Sequence, residues 1–378
     1  MSTAPATRDE LLALLEQLAE HGTPPADTAP YFDIGSREFV DFFTEEILDG
    51  LIAPGGATCR FFEGAYGSGK THLLQMLENA GRKRHLAVVR VDLSEALALH
   101  DWRLITQYIL QNVTVEFGGE VTRGLPNVLE RVGKFIPVNQ HDFELAQLPH
   151  PGFKTAMLQG CFAGSQDEEA LVRFLNGERV TVSALQRSGI FGVKNPLSAR
   201  NAEQVLNTLL AGLHRLGLPG TMLLFDENEK TFDSHVRYSY RRQLAVNLIR
   251  RFIDACFTGG LVGTVAVFAM LPGFLEACAL EYPALGQRLQ ITRGGLYPPA
   301  WRWPVLPLEA VGSVTDPDEF LSEAVEVFIG LCSEHIPTVD GMDARLRHEG
   351  KSVLEADAGT GYRRPLIKAL ADAALNGL

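Results

Sequence analysis

Short, unbroken apolar runs separated by longer stretches of helical periodicity set the outline of this chain. Residues 7–20 place Leu11, Leu12, Leu14, Leu15 and Leu18 on one side of an amphipathic helix. Gly22-Thr23-Pro24-Pro25 ends it. A second helix is predicted from Arg37 to Leu51, stopping before Pro54-Gly55-Gly56. The runs at 58–62, 85–93, 220–225 and 262–269 read as strands. The run at 85–93 is continuous and β-branched, as buried parallel strands are. Residues 303–308 supply a fifth candidate.

Helical patterns at 72–79, 102–116 and 241–257 fall between these strands. Residues 118 to about 200 hold many glycines and prolines and no clear strand. Short helices at 167–176 and 182–187, with a longer one at 202–216, make this stretch a helical insertion. Residues 316–378 read as helical, with Asp316, Asp318 and Glu319 placing acid at a helix start. Strands alternating with helices predict an α/β fold, a parallel sheet flanked by helices. The predicted divisions are an N-terminal helical segment (1–55), a core (56–308) carrying the insertion at about 118–200, and a C-terminal helical lid (309–378). No internal repeat or low-complexity tract is apparent.

The first strand runs into Gly64-Ala65-Tyr66-Gly67-Ser68-Gly69-Lys70-Thr71, and a good helix former follows. The pattern G-x-x-x-x-G-K-[ST] in a strand–loop–helix setting is a phosphate-binding loop, the Walker A motif. Glycines at 64, 67 and 69 let the backbone approach a phosphate closely. Successive N–H groups then form an anion nest, to which the helix dipole adds. Lys70 reaches the β- and γ-phosphates, and the Thr71 hydroxyl ligates Mg²⁺. His72, on the first helical turn, is placed among the cofactor-binding residues in a packing or hydrogen-bonding role, not as a catalytic base.

The strand at 220–225 ends in Asp226-Glu227. Asp226 stands where a Walker B aspartate holds Mg²⁺ through water, and Glu227 is the expected general base for the attacking water. An adjacent Asp-Glu pair predicts the P-loop branch with an additional strand between the two motifs (ASCE). Glu229 is more simply a solvated acid. The fourth strand ends in Ala269-Met270-Leu271-Pro272, with no polar group to sense the γ-phosphate, which predicts slow turnover.

Further cations are candidate phosphate contacts: Arg288 as a finger into a neighbouring subunit, and Arg363 and Arg364 reaching from the lid. Arg237, Arg241, Arg242, Arg250 and Arg251, with Tyr238 and Tyr240 among them, offer either a DNA-contacting face or a solvated helix face. No N-K-x-D guanine motif is present, which argues against a GTPase, and Glu227 favours water as the nucleophile over a small-molecule acceptor.

Composition narrows the setting. Net charge is −12 over 378 residues, so no overall basic field draws the chain to nucleic acid or anionic membrane. The five cysteines are scattered and lack C-x-x-C spacing, as in a reducing cytoplasm. The N-terminal residues do not read as a signal peptide. The longest apolar run, 261–275, is broken by Gly263, Pro272 and Gly273 and is too short to span a bilayer.

Several segments together resemble the ATP-binding proteins of bacterial phage-exclusion (BREX) systems, the BrxD-like group. They are Gly22-Thr23-Pro24-Pro25, Tyr31-Phe32-Asp33-Ile34-Gly35, the loop GAYGSGKTHLL, Phe174-Leu175-Asn176-Gly177-Glu178, the strand LLFDENE, and FAMLPGF…YPALGQRL. The resemblance runs from about residue 20 to the end. It implies an origin-recognition-like AAA+ core with a helical lid, ATP and Mg²⁺ as cofactors, and a role in phage defence beside other defence-system proteins. Homo-oligomerisation and DNA contact stay open. The functional expectation is an ATPase that remodels or gates a partner. The alternative is a scaffold that binds ATP and hydrolyses little.

Overall fold

The structure, a computed structural model, describes residues 7–94, 96–99, 101–162, 169–226, 240–281, 283–290, 300–312, 314, 316–333, 335, 341–356 and 361–377. Its centre is a sheet of seven strands: β1 (Ala57–Glu63), β2 (Ala87–Asp92), β3 (Thr114–Phe117), β4 (Glu120–Arg123), β5 (Thr221–Asp226), β6 (Thr264–Met270) and β7 (Val305–Pro307). Their spatial order is β4-β3-β2-β5-β6-β1-β7. The five strands β2, β5, β6, β1 and β7 are parallel, and β3 and β4 add an antiparallel edge. The sheet is compatible with a P-loop NTPase. β6 lies between β1 and β5, as the Asp226-Glu227 pair predicts.

Parity along the strands divides the apolar residues between two faces. Val88, Met222, Leu224, Val265 and Val267 meet Leu73, Leu74 and Leu77 of the helix Lys70–Lys83. Val89, Leu223, Phe225 and Phe268 point the other way, into a larger core with the helices Trp102–Asn112, Ala202–Arg215 and Tyr240–Thr258. Phe225 and Phe268 stack there at 4.6 Å between ring centroids. Each such side chain, fully buried, contributes about 1.5–3 kcal/mol, which explains why these runs show no polar alternation.

The edge hairpin departs from the expectation. A helix over 102–116 and a strand-free 118–200 were predicted. The helix instead stops at Asn112, and β3 begins at Thr114 within the β-branched stretch Val113-Thr114-Val115. Gly118 (φ 63°) and Gly119 (φ 80°) supply the two left-handed residues of a tight turn. The rest of the insertion is helical, including Leu125–Phe135, Gln140–Leu145 and Pro151–Phe162, which the sequence pattern leaves unassigned, and Glu169–Leu175 and Val182–Arg187, which it anticipates.

A separate apolar cluster joins the two ends of the chain. The helix Arg8–His21 buries Leu11, Leu14, Leu15 and Leu18 against Pro317–Ser333, Met342–Ala356 and Arg363–Leu375. Thr7 caps its start by accepting from the Glu10 N–H. Gly22 (φ 69°) ends it so close to the C-terminal helix that a Cβ there would lie 2.8 Å from Arg364 Cγ. The next helical stretch belongs to the sheet instead. Arg37–Phe42, continued in wider π-helical turns through Phe43–Ile52, packs Phe39, Phe43 and Leu48 on Phe62 and Leu74. No helix among the described residues is long and apolar enough to cross a membrane.

Candidate nucleotide site

β1 delivers the glycine loop to the carboxyl edge of the sheet. Glu63 pairs with Met270 across the β1–β6 ladder, and the Gly64 N–H donates to the Met270 carbonyl at 3.0 Å. The loop is tight: a Cβ on Gly64 would meet Ser68 Oγ at 2.5 Å, and Ser68 Oγ donates to the Ala65 carbonyl at 2.7 Å. Gly67 (φ 71°) and Gly69 (φ 102°) adopt left-handed conformations, after which the helix begins at Lys70. Lys70 Nζ reaches back over the loop and donates to the carbonyls of Gly64 (2.6 Å) and Ala65 (2.8 Å).

The second motif meets the first across the sheet. Thr71 Oγ1 donates to Asp226 Oδ2 at 2.9 Å, over 155 residues of sequence. The same oxygen accepts from Arg90 Nη2 at 2.7 Å, and Arg90 Nε donates to Asp92 Oδ1 at 3.0 Å. Burial works against the Arg90 charge, but Asp226 and Asp92 more than offset it and raise its pKa. Asp92 stands in register with Asp226 at the end of the neighbouring strand.

Lys70, Thr71, Asp92 and Asp226 line a cavity of about 500 Å³. Pro24, Phe32, Ile34 and Ile367 add apolar wall to it. The C-terminal helix packs on the glycine loop and adds Arg363, Arg364 and Ile367 to the wall. Arg364 N–H donates to the Gly67 carbonyl at 3.3 Å. A Cβ on Gly67 would lie 2.4 Å from the Gly361 carbonyl oxygen, and one on Gly361 would lie 2.5 Å from the Tyr66 oxygen. Arg363 bridges from Ser68 O (3.4 Å) to Val314 O (2.9 Å), with its guanidinium over the Phe320 ring. Arg364 donates to the Tyr66 hydroxyl (3.2 Å) and to the His21 carbonyl (2.9 Å). His72 forms part of the wall, and its Nε2 has no hydrogen-bond partner among the described residues. Burial pushes its pKa down, Asp33 opposes this, and Arg363 adds to it.

The structure thus brings Tyr66, Gly67, Gly69, Lys70, Thr71, His72, Asp226, Arg363 and Arg364 to one cavity, while Gly64, Ala65 and Ser68 shape the loop behind it. Arg288 is elsewhere: it forms an ion pair with Asp254 and donates to the Ala284 carbonyl at 2.9 Å. Glu227, Asn228, Glu229, Arg237 and Tyr238 lie outside the described residues, as do the side chains of Tyr240, Arg241 and Arg242. Arg250 and Arg251 face Asp254 and Glu203. Met270 is buried in the core, and Leu271 lines the cavity next to it.

Sequence reasoning missed Arg90 and Asp92. A signal was present for Asp92, a carboxylate closing a mostly apolar strand as Asp226 does, but none for Arg90.

The sequence model of one family, described as BREX system ATP-binding protein BrxC/D, matches residues 6–136 and 150–308. The chain belongs to this family. The match includes both Walker segments and all seven strands, whereas residues 309–378, the C-terminal helices among them, lie beyond it. The likeness is therefore narrower at this end than the resemblance read from the sequence. No curated protein and no solved structure matches the chain. Membership makes the chain an ATP-binding component of an anti-phage system, with other BREX proteins as its partners.

Proposed function

We propose that the chain is a Mg²⁺-dependent ATPase of AAA+ build, and that it couples ATP binding and hydrolysis in the cytoplasm to remodelling or gating of partner BREX proteins. One observation carries the reading: Thr71 of the glycine loop donates to Asp226 on the far side of an inserted strand, within a cavity that the C-terminal helix also lines. Lys70 is then the phosphate cation and Glu227 the general base. Gly64–Thr71 cradle the phosphates, His72 borders the nucleotide, and Arg363 and Arg364 meet it from the lid.

The donor set fits Mg²⁺. Magnesium at such sites takes one hydroxyl, one carboxylate, phosphate oxygens and water. The absence of a cluster of three or more His, Cys, Asp or Glu ligands among the described residues is therefore no obstacle. Bound there, the metal neutralises charge on the β- and γ-phosphates. The apolar lining residues Pro24, Phe32, Ile34 and Ile367 suit a purine base.

The division into a core (56–308) with an insertion at about 118–200 and a lid (309–378) belongs to the same proposal. Since Arg8–His21 shares the lid's apolar cluster, we assign that helix to the lid as well. Arg288 serves as a finger only if a homo-oligomer forms and its pair with Asp254 opens. DNA contact by the Arg237–Arg251 segment is the weaker part of the reading, because Arg250 and Arg251 already face acidic partners.

The second reading, a nucleotide-gated scaffold with little hydrolysis, is favoured by Met270, an apolar residue where a polar sensor is expected. Steady-state phosphate release with ATP and GTP, with and without duplex DNA, separates the two. The ATPase reading expects ATP-specific turnover that Glu227→Gln lowers by about 10²-fold or more. Tight ATP binding with the same low release from both chains supports the scaffold.

A further inference from the structure

Arg90 belongs to neither Walker motif, yet it holds two carboxylates that line the cavity, Asp226 and Asp92. It lies on β2, on the sheet face that carries the helix Lys70–Lys83, and only a fifth of its side chain is exposed. Its two ends hold different carboxylates: Nη2 is 2.7 Å from Asp226 Oδ2, and Nε is 3.0 Å from Asp92 Oδ1. The two acids differ sharply. Asp226 is nearly enclosed at 13% exposure, whereas Asp92 is 68% exposed and lines the cavity. Glu78, on the facing helix, is buried and already paired with Arg82.

This arrangement has a consequence for the metal. An enclosed carboxylate without a counter-charge is costly. In the structure Asp226 takes its counter-charge from Arg90. A divalent cation held by Thr71 and Asp226 would bring a second positive charge to a carboxylate that Arg90 already neutralises, and like charges at short range repel. Arg90 would then keep its second partner, Asp92, two residues along its own strand.

We propose that Arg90 and Asp92 are positioning residues that set how the nucleotide site takes up its metal: Arg90 neutralises Asp226 in the metal-free site and is received by Asp92 when Mg²⁺ claims Asp226. The inference rests on the nucleotide-site reading above. Members of one ion-pair network couple to each other measurably, and a coupling of about tenfold is ordinary for them.

The test is a Mg²⁺ titration of N-methylanthraniloyl-ATP binding to the full chain, read by fluorescence, with EDTA as the metal-free point. Arg90→Gln should lower the Mg²⁺ concentration at half-saturation by about tenfold, because the competitor is gone. It should also weaken metal-free binding, since a bare Asp226 repels the phosphates. Asp92→Asn should act in the opposite direction and raise the half-saturating Mg²⁺, because Arg90 loses its alternative partner. Arg90→Lys, which keeps the charge, should stay near wild type. A purely structural role would move Arg90→Gln and Asp92→Asn in the same direction, and that result, or no shift in either, overturns the proposal. Melting curves accompany each variant. If Arg90→Gln fails to fold, the Asp92→Asn direction still decides. Wild-type chain that binds the probe with no dependence on Mg²⁺ overturns the inference alone. Wild-type chain that binds no probe overturns the nucleotide-site reading, and the inference falls with it.

Discussion

Lys70 illustrates what a single residue contributes here. Its ammonium donates to the Gly64 and Ala65 carbonyls, at the bend that a phosphate would enter. Lys70→Ala would remove the proposed counter-charge for a phosphate, and a melting curve checks that the fold survives. ATP affinity measured by calorimetry is expected to fall by about two orders of magnitude or more, given ~1.5–3 kcal/mol for each charge-assisted hydrogen bond lost. Unchanged affinity would remove the glycine loop from the site. At this scale the sequence was highly informative, because the loop needs contiguous residues of fixed type. Asp226 was legible for a related reason, as a carboxylate closing an apolar run. Arg90 was not, because its partner is 136 residues away and an arginine inside a strand carries no mark of what it faces. Arg60 is a similar case in β1. It is buried, and it ties that strand to the approach to β7 by donating to the carbonyls of Arg302 and Trp303, with burial lowering its pKa to about 10.

Among the elements, the parallel strands were found because burial on both faces forces continuous apolar runs. The β3–β4 edge was missed for the opposite reason: β4 is largely exposed, and its residues Glu120–Arg123 carry no such pattern. Only Gly118-Gly119 announced the turn. The helix Pro151–Phe162 was also missed, since its start depends on a long-range contact. The His150 N–H donates to Thr208 Oγ1 at 2.8 Å, and His150 Nδ1 accepts from the Phe153 N–H at 3.0 Å. Accepting that bond requires an unprotonated Nδ1, and burial holds the imidazole below its usual 6.5. With the folded pKa depressed, the unfolded chain binds the proton more readily. Stability from this group is therefore complete above the unfolded value and declines as pH falls through it. His150→Asn, which can cap without titrating, should flatten the loss of stability between about pH 7 and 5. Urea denaturation of both chains at the two pH values measures it, and equal losses would show that His150 does not titrate on unfolding.

The molecule as a whole joins its two ends over the glycine loop. The helix Arg8–His21 and the C-terminal helices share one apolar cluster, and that cluster rests on Tyr66–Ser68 through Gly361, Arg363 and Arg364. No local pattern in the sequence announces that its first and last helices pack together. Nor does the sequence announce that Gly361 has to lack a side chain. On the proposed reading nucleotide affinity depends on where the C-terminal helices sit, because Arg363, Arg364 and Ile367 line the same cavity as Lys70, Thr71 and Asp226. Gly361→Val forces the lid helix away from the Tyr66 carbonyl, where even a Cβ would lie at 2.5 Å. It leaves the Lys70, Thr71 and Asp226 groups and the sheet core untouched. Since each tenfold in affinity corresponds to about 1.4 kcal/mol, loss of two or three lid contacts should weaken ATP binding by at least tenfold. The melting transition of the sheet core should move little. Calorimetric titration beside a melting curve separates the two effects. Weakened binding with an unmoved melt is the signature of a lid that completes the site, and unchanged binding would mean that the sheet edge alone holds the nucleotide.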